Sequence, residues 1–122
     1  MKTTTLQLLP TTSYGTPSGN YDGSSTDFDG VDQQAANYYG GLGNLQTIAF
    51  FLTAFEGLIK IEASLDSQPA SDEDWFKVYE FDTDSSIITN NFSTNITGNF
   101  TWLRARVENF TGGTINQVTV SY

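Results

Sequence analysis

Leu45-Gln46-Thr47-Ile48-Ala49-Phe50-Phe51-Leu52-Thr53 decides the fold class, because its apolar and polar residues alternate with a period close to two. In a strand, successive side chains leave opposite faces, so Phe50 and Phe51 point in opposite directions. One of the pair enters a core. The other sits on an outer surface that something covers, and both are interface candidates. Gly40, Gly41 and Gly43 precede this stretch and supply a tight connection into it.

Working outward, an apolar-x-Gly step recurs three times before further alternating segments. Phe55-Glu56-Gly57 precedes 58–64, Ile96-Thr97-Gly98 precedes 99–107, and Phe110-Thr111-Gly112 precedes 114–122. The repetition predicts a shared corner geometry, with the glycine making the bend and the apolar neighbour plugging the end of the core. Further strands are predicted over 3–9, ended by Pro10, and over 31–39, 75–81 and 87–92, with a helical turn over 33–38 as the alternative within the second of these. Ser71-x-x-Asp74 resembles a capping box and predicts one helical turn before Trp75. The chain therefore reads as all-β, an antiparallel β-sandwich of about eight strands, jelly-roll-like in its spacing of strands and turns. Residues 11–30 are rich in Gly, Ser, Asp and Tyr and exceed an ordinary connection. They are either a long flexible interaction arm or the hiding place of a short edge strand.

At 122 residues the chain is one domain, 1–122. Its charge is −9, from 5 basic and 14 acidic side chains, which repels nucleic acid and anionic membrane surfaces. With 17 Thr, 11 Ser and 9 Asn, neutral polar groups do most of the solubilising, as suits strands. Cys and His are absent, which removes thiolate and imidazole catalysis and imidazole-held metals. No window reaches the apolar length of a membrane span, and the polar start after Lys2 has no signal-peptide pattern, so synthesis in a cytoplasm is expected.

Candidate sites are few. After Gly98, Leu103, Ala105 and Val107 share a core-facing side, whereas Trp102, Arg104 and Arg106 share the other. Arg beside Trp is the composition of a binding hot spot, and cross-strand pairing with Glu62, Glu80 or Glu108 is the alternative. Tyr14 and Tyr21, in the long loop, are further interface candidates. Asp22, Asp27, Asp29 and Asp32 are spaced as oxygen ligands for calcium could be, but the EF-hand pattern fails: Asp32 stands where its glycine belongs and no closing glutamate follows. Asp and Gly are also ordinary turn residues. No motif selects a carboxylate pair for glycoside hydrolysis and no phosphate loop occurs, so a non-enzymatic role without a required cofactor is expected. Asn-x-Ser/Thr triplets begin at Asn91, Asn95, Asn99 and Asn109, as a strand sequence rich in Asn and Thr produces by composition.

Residues 37–122 resemble a family of small virion structural proteins from contractile-tailed phages that infect marine cyanobacteria. The likeness rests on Tyr38-Tyr39-Gly40, Gly57 with Ile59 and Ile61, Asp74-Trp75-Phe76, and Asn109-Phe110-Thr111-x-Gly113-Thr114, in that order. It implies a β-sandwich subunit, present in several symmetric copies, bound to other virion proteins of the capsid, neck or tail, with no catalytic residues. A carbohydrate-binding module that contacts host glycans is the alternative, since many such sandwiches stack sugars on aromatics such as Trp75, Tyr79 and Trp102.

Overall fold

A computed structural model describes residues 5–38 and 44–122. The expected Gly40/Gly41/Gly43 connection, Tyr39, and the start of the first strand at Thr3 and Thr4 lie outside them. The chain forms β1 (Thr5–Leu9), β2 (Thr12–Ser13), β3 (Phe28–Asp29), β4 (Gln33–Gln34), β5 (Leu45–Ser64), β6 (Phe76–Asp82), β7 (Ile88–Thr97) and β8 (Trp102–Ser121). All belong to one eight-stranded antiparallel sheet. The helical turn predicted from the Ser71-x-x-Asp74 pattern is present as a 3-10 turn over Asp72–Asp74. The Asp74 carboxylate accepts bonds from the backbone N–H groups of Ala70 and Ser71 at 2.7 and 3.1 Å.

Two 20-residue strands, β5 and β8, organise everything else. They pair with each other from Thr47 opposite Ser121 to Ser64 opposite Trp102. The free side of β5 carries β7 along its first half and β6 along its second. The free side of β8 carries β4, β3, β2 and β1 in turn. A straight strand of this length would span about 65 Å, whereas a domain of this size has a radius of gyration of about 14 Å. Both long strands therefore bend. The bends fall where Ala54 (φ 51°), Asn109 (φ 54°) and Gly113 (φ 86°) leave the β region, and the β5–β8 register shifts between Thr53 and Leu58.

The bend resets which residues face inward. In β5 the fully buried apolar side chains flanking the corner are Ile48, Phe50 and Leu52 before it, and Ile59, Ile61 and Ala63 after it. One extra residue at a bulge changes the parity of every later side chain. Phe55 and Phe110 sit at the corner, both fully buried, with ring centroids 5.8 Å apart. The apolar-x-Gly steps at 55–57 and 110–112 thus bend continuous strands, correcting the expectation that each begins a separate one. Across the core, the Phe50 ring meets Tyr79 and Phe81 of β6 at 5.8 and 6.5 Å, so the two halves of the sheet turn their inner faces toward one cluster.

Residues 11–30 lie along β8 and contain the hidden short strands β2 and β3. Tyr21, 1% exposed, and Phe28 anchor this segment against Phe110 at 5.3 and 5.9 Å. Among the described residues, the strand expected over 31–39 shortens to β4 followed by a turn. No helix among the described residues is long and apolar enough to cross a membrane.

Candidate functional site

The half of the sheet built from β3, β4, β6 and the second half of β5 carries a dense ion network. Arg104 has a side chain 9% exposed, and its Nε donates to Glu62 Oε1 at 2.7 Å and its Nη2 to Asp72 Oδ1 at 3.3 Å. Its guanidinium also stacks over the Trp75 ring at 4.5 Å. Burial acts to lower the Arg104 pKa, but the bond to Glu62 and the charge of Asp29 outweigh it, so the net shift is upward. Arg106 Nη1 donates to Asp29 Oδ1 at 2.9 Å and its Nε to Glu108 Oε2 at 3.0 Å. Lys60 Nζ lies 3.0 Å from Glu108 Oε1. The Lys60 contact is the main reason, ahead of Arg106, that the Glu108 carboxyl is held below its usual range. Trp102 donates its indole N–H to the Ser67 carbonyl at 2.9 Å and meets Tyr38 edge-on. Of the two readings open for Trp102, Arg104 and Arg106, the structure thus supplies the intramolecular one, with Glu62 and Glu108 as partners. Glu80 pairs instead with Lys77 at 3.2 Å.

The four aspartates of the loop do separate work. Asp22 accepts from Ser24 N, Ser25 N and Ser25 Oγ at 2.9, 2.7 and 2.8 Å. Asp27 accepts from Asn109 N at 3.1 Å, so it braces the corner, while Asp29 neutralises the arginines. Desolvation raises the Asp32 carboxyl, against the pull of Arg104. Among the described residues no group of three or more acidic side chains is placed to hold a metal ion.

The backbone bonds from Ser24 and Ser25 are the chief cause that lowers Asp22 from 3.8 to about 2. A depressed carboxyl stabilises the fold above its unfolded pKa and loses that contribution as pH falls through the folded value. Asp22→Asn will therefore flatten the loss of stability between pH 4 and pH 2, the interval set by those two values. Urea midpoints measured across that interval check it, and unchanged slopes would contradict it.

Two of the interface candidates lie in the core. Phe50 is fully buried because its parity matches Ile48 and Leu52, and Tyr21 is buried with its hydroxyl accepting from Gly15 N at 3.0 Å. Phe51 is half-buried on the outer face, and Tyr14 is 52% exposed with its ring edge-on to Phe110 at 5.6 Å. At the corner, Glu56, Asp82, Thr83, Asp84, Asn109 and Thr111 line a pocket of about 410 Å³. Its polar groups are largely spent on one another: Thr111 Oγ1 donates to Glu56 at 2.8 Å, Asp82 accepts from Asp84 N at 2.8 Å, and Thr83 Oγ1 accepts from Gly57 N at 3.1 Å.

The other half of the sheet has no counterpart to the ion network. No Asp, Glu, Lys or Arg occurs in 33–55, 85–103 or 109–122. Those intervals contain all of β7, the first half of β5 and the second half of β8, and β1 is uncharged as well. Pairing assembles their outward side chains into rows across four strands. Gln7, Thr119, Ala49 and Ser93 make one row, and Thr5, Ser121, Thr47 and Asn95 the next. Gln117, Phe51 and Asn91 make a third. Strands lie about 4.8 Å apart and same-face residues about 6.8 Å apart, so this is a regular neutral grid of hydroxyls and amides around one half-buried aromatic ring. Some of the groups bond along the rows: Thr5 with Ser121 at 2.9 Å and Thr47 Oγ1 to Asn95 Oδ1 at 2.8 Å. Sequence reasoning picked Phe51 but missed the grid. The signal was the three charge-free intervals, which become one surface only when the pairing register is known.

No family model, curated protein or solved structure matches the chain.

Proposed function

We propose that this chain is a non-enzymatic structural subunit of a tailed-phage virion, an accessory or decoration protein that docks on a repeated capsid, neck or tail surface through its neutral grid. In this reading the folded sheet serves as a jelly-roll-like β-sandwich, made in the host cytoplasm and carried in several copies per particle. The observation that carries it is the segregation of charge. A protein of net charge −9 leaves one entire sheet half without an ionised side chain, while its ionic groups cluster on the other half and in loops. A neutral face of hydroxyls and amides binds through many weak, salt-insensitive contacts, which multiply when the target surface repeats. The acidic remainder keeps the subunit soluble and disfavours contacts through the charged half. The likeness of residues 37–122 to cyanophage virion proteins supports the same assignment. No metal ion or catalytic group is required by it.

Phe51→Asp places a charge in the middle of the grid and tests the proposal. Incorporation into purified particles, quantified by mass spectrometry, will fall several-fold, while Glu73→Lys on the charged half will leave it unchanged. Equal incorporation of Phe51→Asp overturns the docking face. Normal incorporation together with loss of binding to a host glycan would transfer the surface to sugar recognition.

A further inference from the structure

We propose that β7 is a self-pairing edge, and that two copies of this chain join antiparallel through it across a two-fold axis at Ser93. The inference goes beyond the virion reading and is decided on the isolated chain. An edge strand exposes a row of backbone donors and acceptors, and proteins that must avoid pairing blunt such rows with charge, proline, bulges or cover. The other edges among the described residues are blunted in these ways. β6 carries Lys77, Glu80 and Asp82. β1 is covered by the following chain, with Val31 N donating to Leu8 O at 2.8 Å and Gln33 Nε2 to Gln7 O at 2.9 Å. β2, β3 and β4 are two residues each. β7 has ten residues, no charge, no proline and, among the described residues, a ladder on its β5 side alone.

Two properties of β7 identify the occupant as a second copy. The first is electrostatic. A partner bearing the same −9 charge is repelled elsewhere, but 85–103 holds no ionised side chain, so two copies can approach there. The second is the order of the side chains. Along the outer face β7 reads Thr89, Asn91, Ser93, Asn95, Thr97, a palindrome about Ser93. A two-fold axis normal to the sheet keeps each residue on its own face and pairs residues of equal parity. Centred on Ser93, it sets Thr89 against Thr97, Asn91 against Asn95 and Ser93 against its own copy, all pairs that can hydrogen-bond across strands. The neutral grid would then continue unbroken from one copy to the next.

The chain has no cysteine, so Ser93→Cys introduces a single thiol on the proposed axis. Residues directly opposite in an antiparallel ladder lie within the Cα separation a disulfide accepts. Mild oxidation of Ser93→Cys will cross-link the chain into a covalent dimer at least about tenfold faster than Thr119→Cys, which lies two strands inward and would face its copy across roughly 24 Å. Sedimentation equilibrium of the unaltered chain will show a species of twice 13.4 kDa. Ser93→Lys, which puts like charges opposite one another, will raise its dissociation constant several-fold with an unchanged circular dichroism spectrum. A mass of 13.4 kDa at every concentration reached overturns the inference. So does a dimer in which Ser93→Cys cross-links no faster than Thr119→Cys, because that dimer uses another surface.

Discussion

Phe50→Ala will lower the unfolding free energy by about 3–5 kcal/mol, and Phe51→Ala by about 1 kcal/mol or less. The two residues are neighbours of identical chemistry, so the contrast isolates position. Phe50 is fully buried, stacked on Phe92 with centroids 4.7 Å apart and planes 13° apart, and closed in by Tyr79 and Phe81. Its surroundings come from three other strands, β6, β7 and, through Val118 opposite it, β8, each held to β5 by its own ladder, so the space left by truncation cannot collapse easily. Phe51 lies on the outer face between Gln117 and Asn91 and keeps part of its ring in water, so truncation removes little burial. A loss of that size at Phe50 is a large share of the roughly 5–15 kcal/mol available to a domain. At about 4 °C per kcal/mol it moves the melting temperature by roughly 12–20 °C. Urea titration followed by the fluorescence of Trp75 and Trp102 measures both variants. The larger effect at Phe51 would mean that β5 presents the opposite parity to the core, and the neutral grid would vanish with it.

The alternation that placed one phenylalanine inside was legible because period two is a local property. Burial alternates without a break over 45–53, and Leu103, Ala105 and Val107 are all fully buried on one face of β8. The short turn at Ser71 to Asp74 was legible for the same reason, since a cap acts over three residues. What the sequence did not disclose is continuity. A glycine after an apolar residue reads as a strand end, yet at 55–57 and 110–113 the ladder resumes after a bulge, because the partner strand bulges at the same level. Residues 11–30 were ambiguous because their composition is that of a loop. Only the burial of Tyr21 and Phe28 beneath the corner makes them a cover for the edge of β8. Arg104 and Arg106 were correctly placed on the face away from the core, with the acidic partners named among the alternatives. That these partners sit within 3 Å could come only from register. The candidate site shows the same division: charge-free intervals are visible in the primary structure, but a face is a property of paired strands.

At the corner the closest backbone approach is made at Gly113, and adjacent substitutions will separate it from its neighbour. Gly113→Ala will cost about 2–4 kcal/mol, whereas Gly112→Ala will change stability by less than about 1 kcal/mol in either direction. Gly113 has φ 86°, in the left-handed half of conformational space that a β-carbon disfavours. A β-carbon there would also run into the carbonyl of Ala54 and lie 2.6 Å from Phe55 Cα. Those are backbone atoms of β5, fixed by the ladders on both sides, and they cannot rotate away as the tip of a flexible side chain can. The Gly113 carbonyl further receives Tyr14 N at 2.9 Å, so a shift of this residue also loosens the cover over β8. At Gly112 the nearest atom to an added β-carbon is Glu56 Oε1 at 4.0 Å, an ordinary contact with a mobile carboxylate, and alanine reduces the entropy of the unfolded chain. Guanidinium denaturation of the two variants reads the difference directly. Equal effects would show that β5 and β8 do not approach closely at the bend, and the inward turn of the two sheet halves would lose its cause.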